Sequence, residues 1–298
     1  MKLPHIVVVL LDCLRVDAIT IAIMPNLRRL LDTSHYYSNV EVKYAHTSMS
    51  VPELFFGDVG VPPVRPDQFI GRPSLPRMWQ RTHTTAAFIG TPIFNPNNMH
   101  PPLRWLFSDF DSVFFEKHPM VKIHEPLRQA QRFMDKQRSP CFIYVHHHGA
   151  HGPYRGGSSS MDAGEVASKY GGPHIPKNVA SELRENYFRG CRILDKELPD
   201  LLTPFSRPGV LLALLTDHGE MLGEGGVWGH GYGGSYDWSL ARQTFFSFIH
   251  SSQKANQITR KVRQGDFQKL LQEYVLHRWV KDIRQDASNP QLEALGYM

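Results

Sequence analysis

The chain has 298 residues, of which 41% are hydrophobic and 20% are charged, so it is long enough to fold around a substantial core as one large domain or two modest ones. Its net charge of +5 suits anionic substrates, but the Lys and Arg residues form no basic stripe, which argues against nucleic-acid binding. No apolar run approaches the roughly 20 residues that span a bilayer.

The N-terminal residues and the cysteines bear on location and redox chemistry. The first apolar run starts at His5, which leaves no room for the basic and apolar segments of a secretory signal. The sequence therefore predicts a cytoplasmic protein without a membrane span. Cys13, Cys141 and Cys191 are too few and too scattered for a disulfide framework or a cysteine-rich zinc site, and we expect free buried thiols.

Apolar runs and amphipathic segments alternate along the chain. The run HIVVVLLD at 5–12 is typical of a parallel strand buried on both faces, and a helix that Pro25 opens is predicted at 24–33. Further strands are predicted at 85–90, 141–148, 209–219 and 244–250, and further helices at 125–137 and 179–202. This alternation predicts an α/β layered fold with a largely parallel sheet. No repeat or clean linker divides the chain, so we expect residues 1–298 to form a single domain.

Two segments differ from this pattern. Residues 152–178 are rich in Gly, Ser and Pro, which predicts a long mobile loop, and we expect this loop to carry the choice of substrate. The tail at 251–298 is more polar and contains one amphipathic stretch at 265–283. That stretch predicts a C-terminal helix packed on the sheet.

Acidic residues end two of the predicted strands. In open α/β sheets, reactive residues collect at the carboxyl edge of the strands. Asp12 follows the first strand, and taken alone it is explained by a cap or by pairing with Arg15. Asp217 and His218 follow the apolar run GVLLALL and are poorly explained by packing. A carboxylate and an imidazole in succession are common ligands of a divalent cation, so the sequence predicts a metal site there.

Histidines form a second polar group. His146, His147 and His148 lie where a strand meets a loop, and at most two of them can share one site because alternate side chains point to opposite faces. His151 in HGAHGPY and His230 in WGHGYGG lie beside glycines that let a ligand approach closely. A second ion held by His147, His151 and His230 is a minority alternative.

Seven segments, taken in order, span nearly the whole chain and resemble one family. They are VVVLLDCLRVD, MPNLRRL, HTSMSVPELFFG, HGAHGPY, YFRGCRILD, LLTDHGEMLGEGGVWGHG and LEALGYM. Together they resemble the sulfatase branch of the alkaline phosphatase superfamily. The resemblance implies a doubly wound α/β sheet with helices on both faces, a bound divalent cation, and a nucleophile at the start of the helix that contains HTSMSVPELFFG.

The nucleophile segment departs from the sulfatase pattern. In sulfatases this helix begins with Cys-x-Pro-Ser-Arg, and the Cys becomes formylglycine. Counting back from Gly57 places Thr47 at the Cys position, with Met49 in place of Pro and Val51 in place of Arg. Neither the modifiable Cys nor its recognition residues are present, which argues against formylglycine chemistry. A Thr at this position resembles the phosphoethanolamine transferases and lipoteichoic acid synthases, which pass through a phosphothreonine.

Thr47 has two explanations at this stage. A Thr that opens an apolar segment is usually a helix N-cap. The resemblance implies a nucleophile, whose hydroxyl pKa a coordinated cation would lower while the helix N-terminus supplies N–H donors to a phosphoryl group. We expect Thr47 to do both.

Together, the residues and the resemblance predict a metal-dependent phosphoester hydrolase or phosphotransferase. It is expected to act through a phosphothreonine intermediate on a soluble, small anionic substrate. A sulfate-ester hydrolase of the same fold is one alternative. An inactive relative that binds an anionic ligand is another.

The predicted site has a metal part and a substrate part. The predicted ligands of one divalent cation are Asp12, Thr47, Asp217 and His218. The predicted ion is Mn²⁺ or Zn²⁺, with Mg²⁺ or Ca²⁺ as alternatives because three of the four ligands are oxygen. A second metal is not expected. His147, His151 and His230 are predicted to bind substrate, and His151 and His230 are also predicted to protonate the leaving group.

Overall fold

The computed structural model describes residues 3–58, 66–69, 71–94, 105–157, 162–171, 174–231, 237–251 and 254–280. Its strands are β1 (His5–Leu11), β2 (His35–Glu41), β3 (Thr84–Ile89), β4 (Ser112–Phe115), β5 (Cys141–His147), β6 (Val210–Leu215), β7 (Met221–Leu222), β8 (Trp228–Gly229), β9 (Gln243–Ile249), β10 (Asn256–Ile258) and β11 (Val262–Arg263). Its α-helices are α1 (Pro25–Asp32), α2 (Thr47–Phe56), α3 (Glu125–Lys136), α4 (Ala163–Tyr170), α5 (Lys177–Leu202), α6 (Ser239–Arg242) and α7 (Phe267–Val275).

One large mixed sheet organises the molecule. Its strand order is β10-β2-β9-β6-β1-β5-β3-β4, and β11 also pairs with β2. The central strands β6, β1, β5 and β3 run parallel, whereas β9 is antiparallel to both β6 and β2. This is the α/β fold with a largely parallel sheet that the sequence predicts. The carboxyl ends of β6, β1 and β5 therefore lie side by side.

Helices cover both faces of the sheet, because side chains alternate along each buried strand. In β1, Val8 points toward the cluster that contains residues of α2 and α7, and Val9 toward the cluster that contains residues of α1, α3 and α5. Phe55 of α2 is fully buried, and its ring centre lies 4.9 Å from that of Tyr144 in β5. Burying a Phe side chain contributes about 1.5–3 kcal/mol. This packing anchors α2, and with it Thr47, to the sheet.

The predicted strands and helices are present with small shifts at their ends. The strands predicted at 5–12, 85–90, 141–148, 209–219 and 244–250 correspond to β1, β3, β5, β6 and β9. The helices predicted at 24–33, 125–137 and 179–202 correspond to α1, α3 and α5. The strands β2, β4, β7, β8, β10 and β11 were not predicted. β10 and β11 have only 3 and 2 residues, and the burial of β2 is interrupted by a register shift between Tyr37 and Val40.

The segment 152–178 is not a continuous loop, contrary to prediction. It contains α4 and the first residues of α5. A capping box lies at the start of α4: the Asp162 side chain accepts from the Glu165 backbone N–H, and the Glu165 side chain accepts from the Asp162 backbone N–H. The Asp-x-x-Glu spacing of that box was readable in the sequence. Residues 158–161 and 172–173 of the predicted loop lie outside the described residues, as do 281–298 of the tail.

The described part of the C-terminal segment ends in a helix that packs on the sheet. α7 spans Phe267–Val275, and the Phe267 ring centre lies 5.1 Å from that of Phe246 in β9. A wider turn, Leu276–Val280, continues it.

The three cysteines are buried and free, as predicted. Among the described residues, no helix combines the length and the apolar character that a bilayer span requires.

Candidate active site

The carboxyl ends of three neighbouring strands meet at the centre of the site. Asp12 directly follows β1, and its backbone N–H donates to the carbonyl of His147 at the end of β5 at 3.1 Å. The next residue, Cys13, donates its backbone N–H to Asp217 Oδ1 at 3.3 Å. The strand order therefore brings together the polar residues that the sequence places far apart, including Asp12, Asp217 and His218.

Gly149 allows the backbone that follows β5 to pack closely against the end of β1. Its φ is +62°, and a Cβ atom there would lie 2.3 Å from the carbonyl oxygen of Asp12. The backbone N–H of Ala150 donates to the same oxygen at 2.8 Å. Only glycine fits this close approach. It brings His151, two residues further on, toward Asp12.

Thr47 faces this sheet edge from the first turn of α2. Its Oγ1 donates to Asp12 Oδ1 at 3.3 Å and lies 3.0 Å from His218 Nε2. The N-cap of α2 is His46, whose side chain accepts a hydrogen bond from the Ser48 backbone N–H at 3.2 Å. The prediction that Thr47 also caps the helix is therefore wrong. Thr47 is the first helical residue, and its hydroxyl is free to turn into the site.

The four predicted metal ligands come together, and we call them the nucleophile cluster: Asp12, Thr47, Asp217 and His218. Besides the Thr47 contacts, His218 Nε2 lies 3.4 Å from Asp217 Oδ2 and 3.9 Å from Asp12 Oδ1. Ligands bound to a cation at about 2.0–2.2 Å are separated by roughly 3–3.6 Å. All four side chains are buried. Three oxygen donors and one imidazole at these separations fit one divalent cation.

The electrostatics of the nucleophile cluster supports this fit. Burial opposes the ionisation of Asp12, but a hydrogen bond from His146 and the charge of His151 hold the pKa of Asp12 well below its usual value. Burial and the charge of Asp12 raise the pKa of Asp217 well above its usual value. Two carboxylates buried side by side repel each other, so without a cation one of them keeps its proton. A divalent cation between them would let both ionise.

His218 is arranged to present a lone pair. Its Nδ1 donates to the carbonyl of Gly219 at 2.8 Å, which leaves Nε2 without a proton. Burial, followed by the charge of His230, holds the pKa of His218 well below its usual value, so the imidazole is neutral. A neutral imidazole whose second nitrogen is hydrogen-bonded to a carbonyl is the usual form of a metal-binding histidine.

The three consecutive histidines point to three different places. His146 Nε2 donates to Asp12 Oδ2 at 3.2 Å, and its Nδ1 accepts from the Tyr144 hydroxyl at 3.0 Å. His146 therefore orients Asp12, a role that the sequence prediction missed. The His148 ring lies beside that of His151, with ring centres 5.1 Å apart.

His147 does not reach the site, so its predicted substrate-binding role is wrong. Its Nε2 lies 2.9 Å from His124 Nδ1, and its Nδ1 accepts from the Gly149 backbone N–H at 3.0 Å. The other ring nitrogen of His124 forms a hydrogen bond with Glu197, which also forms an ion pair with Arg155. The alternation of side chains along β5 turns His147 to the face opposite His146.

His151 and His230 do reach the site. The His230 ring centre lies 4.7 Å from that of His218 and 5.1 Å from that of His151. Burial lowers the pKa of an imidazole, but the charge of Glu220 and its hydrogen bond to His230 Nδ1 raise the pKa of His230 to about 9. His230 is therefore positively charged at neutral pH in the metal-free protein.

The sequence prediction gave no role to two further residues in this region. Cys13 Sγ lies 3.5 Å from His230 Nδ1 and 3.6 Å from His218 Nδ1. Glu220 Oε1 lies 3.0 Å from His230 Nδ1, and only 1% of its side chain is exposed. The available signals were their positions next to predicted ligands, Asp12-Cys13 and Asp217-His218-Gly-Glu220. Neighbourhood in sequence alone does not show where a side chain points.

The family comparison agrees with the fold and the site. The model of the Sulfatase family matches residues 4–271. The chain therefore belongs to the sulfatase family, within the alkaline phosphatase superfamily. A comparison with curated proteins found no similar sequence.

Solved structures share this fold. The C-terminal periplasmic domain of EcEptC from Escherichia coli, in complex with Zn, is 14% identical with a TM-score of 0.69, and the match covers 92% of this chain and 82% of that one. The phosphonate monoester hydrolase of Agrobacterium radiobacter is 16% identical, with a TM-score of 0.65 and 91% and 73% coverage. The lipoteichoic acid synthase LtaP from Listeria monocytogenes is 12% identical, with a TM-score of 0.64 and 92% and 72% coverage.

At these identities the structural likeness shows the fold alone. The family and its neighbours support an enzyme of the hydrolase or transferase kind. The particular reaction has to be argued from the residues of the site.

Proposed function

We propose that the protein is a metal-dependent phosphoester hydrolase or phosphotransferase that acts through a phosphothreonine at Thr47. The observation that carries this proposal is the position of the Thr47 hydroxyl, which lies within 3.3 Å of Asp12 Oδ1 and 3.0 Å of His218 Nε2 at the N-terminus of α2. The Thr side chain cannot become formylglycine, which disfavours the sulfatase alternative. The names of two structural neighbours, a phosphonate monoester hydrolase and a lipoteichoic acid synthase, agree with phosphoryl chemistry.

The nucleophile cluster would hold the cation. A divalent cation bound there would lower the pKa of the Thr47 hydroxyl and offset the negative charge of the phosphoryl oxygens. Zn²⁺ and Mn²⁺ are the favoured ions for this donor set, and Zn²⁺ is supported by the zinc complex of the EcEptC domain. His146 holds Asp12 and Gly219 holds His218, so both ligands keep their orientation.

The residues of the site can carry out transfer in two steps. In the first, Thr47 Oγ1, having released its proton to solvent, forms a bond to phosphorus while the bond from phosphorus to the leaving-group oxygen breaks. The leaving oxygen keeps the electron pair and takes a proton from the imidazolium of His230, or is stabilised by its positive charge. In the second, the oxygen of water or of an acceptor hydroxyl attacks phosphorus and gives its proton to the neutral imidazole of His230, while Thr47 Oγ1 leaves with the electron pair of the broken bond.

The N-terminus of α2 prepares the site for the phosphoryl group. Backbone N–H groups of the first turn point out of the helix, and the helix dipole adds positive potential there. His151 lies next to His230, with ring centres 5.1 Å apart. These groups would bind the nonbridging oxygens.

Trapping the intermediate tests the proposal. The zinc- or manganese-loaded chain is mixed with p-nitrophenyl phosphate, with bis-p-nitrophenyl phosphate and with p-nitrophenyl sulfate, quenched in acid, and digested for mass spectrometry. We expect phosphate on the peptide that contains Thr47 with at least one phosphoester, and no modification with the sulfate ester. Sulfate turnover without phosphate turnover would favour the sulfatase alternative. Turnover of phosphoesters by a Thr47→Ala variant at the wild-type rate would overturn the phosphothreonine route.

A further inference from the structure

A group of titratable side chains that the proposed reaction does not use lies on the sheet face opposite to Thr47. It consists of His147 at the end of β5, His124 before α3, Glu197 of α5, and Arg155. We call these four residues the His147 network. His147 Nε2 lies 2.9 Å from His124 Nδ1, and His124 Nε2 lies 2.9 Å from Glu197 Oε2. Arg155 pairs with the same carboxylate.

The hydrogen bonds of the His147 network run in one direction. Its inner end is the backbone N–H of Gly149, which donates to His147 Nδ1 at 3.0 Å. A backbone N–H can only donate, so this ring nitrogen carries no proton. Burial, followed by the charge of His124, holds the pKa of His147 well below its usual value. The ring is therefore neutral, and its proton is on Nε2.

The same direction continues to the carboxylate. His147 Nε2 donates to His124 Nδ1, and burial lowers the pKa of His124, so this ring is also neutral and carries its proton on Nε2. That nitrogen donates to Glu197, whose pKa is lowered by its hydrogen bond from Arg155. An ionised carboxylate can only accept. Because the first group only donates and the last only accepts, each imidazole has a single tautomer.

The His147 network holds both ends of one short segment. This segment runs from Gly149 to Arg155, and we call it the His151 segment because His151 lies within it. The first residue is held through its N–H by His147. The last is held through its guanidinium, whose Nη2 donates to Glu197 Oε1 at 3.0 Å. A displacement of either anchor would therefore move the backbone that carries His151.

The bond to Gly149 sets the direction of the His151 segment. It fixes the peptide plane between His148 and Gly149, and this plane, with the φ of +62° at Gly149, determines where the chain continues. Gly149 is buried. Without the His147 ring, its N–H would be a buried donor without that partner, which favours rotation of the peptide plane toward another acceptor.

We propose that His147 and Glu197 are positioning residues, which hold His151 in place from behind the sheet through the Gly149 N–H and through Arg155. This role rests on the proposed function, in which His151 binds nonbridging oxygens of the phosphoryl group. Catalysis is sensitive to such placement, because a misplacement of about 1 Å can lower a rate roughly 100-fold.

Two near-isosteric substitutions of His147 test which contact matters. Asn places its Oδ1 where Nδ1 lies and can still accept from Gly149, whereas Gln places its amide near Nε2 and offers no acceptor at the Nδ1 position. His147→Gln should lower phosphoester turnover roughly 10- to 100-fold with unchanged metal content. His147→Asn should keep most of the turnover. Equal losses in the two variants would overturn the proposal. So would loss of metal from the Gln variant, because His147 would then act through Asp12, whose N–H its carbonyl accepts.

A double substitution separates positioning from general destabilisation. In a His151→Ala background, His147→Gln should have no further effect on turnover, because the positioned side chain is gone. The same fold loss in both backgrounds would contradict the proposal. His83→Gln is the matched control, since this buried imidazole bonds to the Pro4 carbonyl at the opposite edge of the sheet. It should lower thermal stability and leave turnover unchanged.

The outer end of the network is open to substitution without emptying the core. The Glu197 side chain is 36% exposed, and Glu197→Ala should lower turnover roughly 2- to 30-fold in the wild-type background and not in the His151→Ala background. Glu185→Ala is the control, because that glutamate lies on the same helix and pairs with Arg192 instead. Equal turnover in the two glutamate variants would overturn the role of Glu197.

NMR separates this inference from the proposed function, because it needs no turnover. In the wild-type chain with ¹⁵N-labelled imidazoles, His147 and His124 should each carry the proton on Nε2. The ring resonances of His151 should shift in His147→Gln and stay in His147→Asn. A His147 proton on Nδ1 would overturn the positioning role even if phosphate is trapped on Thr47. The expected tautomers and shifts in a chain that traps no phosphate would instead support the placement of His151 and count against the phosphothreonine.

Discussion

The nucleophile cluster and a neighbouring group of residues have opposite characters. We call the second group the thiol cluster, and it consists of Cys13, His151, Glu220 and His230. In the first, the side chains of Asp12, Asp217 and His218 are completely buried and the donors are mainly oxygen. In the second, the His230 side chain is 16% exposed, and sulfur and nitrogen predominate. The comparison suggests a division of labour. If Thr47 is the nucleophile as proposed, the buried cluster would prepare it, and the more open one would receive the part of the substrate that leaves.

The two clusters also differ in how their charge is balanced. The carboxylates of the nucleophile cluster face each other, so a cation is needed for both to ionise. The thiol cluster carries its own positive charge in the metal-free protein, because Glu220 keeps His230 protonated. Without metal, the nucleophile cluster is therefore expected to lose its ability to activate Thr47. The thiol cluster is expected to retain part of its ability to stabilise the leaving group.

Replacing Thr47 should have the largest effect on turnover. Thr47→Ala removes the proposed nucleophile and should lower turnover of phosphoesters roughly 10³-fold or more. Thr47→Ser keeps the hydroxyl and should keep measurable activity. Ser48→Ala is the matched control, since that neighbouring hydroxyl contacts His46 and not the cluster. Steady-state rates measure turnover, and circular dichroism checks that each variant is folded. Comparable rates in the Ala and Ser variants of Thr47 would contradict the prediction.

Loss of a ligand from the nucleophile cluster should come next. His218→Ala should empty this cluster and lower turnover roughly 10²- to 10⁴-fold, because the cation would be held by one ligand fewer. Elemental analysis after dialysis measures the occupancy. His118→Ala, which removes an exposed histidine beyond β4, is the control. A His218 variant with full occupancy would show that His218 is not a ligand.

The His230→Ala variant should separate the two clusters. It should leave metal in the nucleophile cluster and cut turnover roughly 10²- to 10⁴-fold, because the group that stabilises the leaving oxygen is lost. The effect should shrink for substrates whose leaving group is a good one, such as p-nitrophenol, relative to an alkyl phosphate. Loss of all metal from the variant would instead place His230 among the ligands of the nucleophile cluster.

The pH dependence of the metal-free protein should reveal the Glu220–His230 pair. The folded-state pKa of His230 is raised from 6.5 to about 9, so the pair contributes stability that is fully present below pH 6.5 and is lost as the pH rises through about 9. Glu220→Gln should bring the His230 pKa back toward its usual value and flatten this alkaline loss. NMR titration of the His230 ring and thermal unfolding at several pH values measure both effects. An unchanged His230 pKa in the Gln variant would contradict the pairing.

The smallest expected effect concerns the cap of α2. His46→Ala removes the side-chain acceptor for the Ser48 N–H and should lower the free energy of unfolding by about 1 kcal/mol. Phosphate should still be trapped on Thr47, because Asp12 and His218 hold the Thr47 hydroxyl. Chemical denaturation measures the first effect and mass spectrometry the second. Loss of trapping in a folded His46 variant would show that the cap and the nucleophile are coupled.

Strand ends were predictable because their physical cause is local. A long apolar run followed by polar residues marks a buried strand and its carboxyl edge, and Asp12, Asp217 and His218 were placed correctly on that ground. Thr47 required the resemblance, since its own sequence context is that of a helix cap. The cap itself was assigned to the wrong residue, because a His cap at position 46 is uncommon and only the backbone geometry shows it.

The histidines of β5 show what the local sequence pattern cannot predict. Alternation along β5 predicts that His146 and His147 point to opposite faces, but it does not say which of them faces the site. That choice depends on which side of the sheet carries α2, and the structure assigns the site to His146. The predicted cytoplasmic location stays a prediction.

The sequence by itself determined the α/β alternation and the strands whose ends carry Asp12, Asp217 and His218. Through its family pattern it also pointed to Thr47 as the proposed nucleophile. These features depend on periodicity and on order along the chain. Only the tertiary structure decided that Cys13 and Glu220 meet His151 and His230. Cys13 and Glu220 are 207 residues apart, and their meeting depends on the order β6-β1-β5, on the positive φ of Cys13, and on the fold of the chain back along β8. Such contacts are set by packing across the whole sheet, which no local pattern encodes.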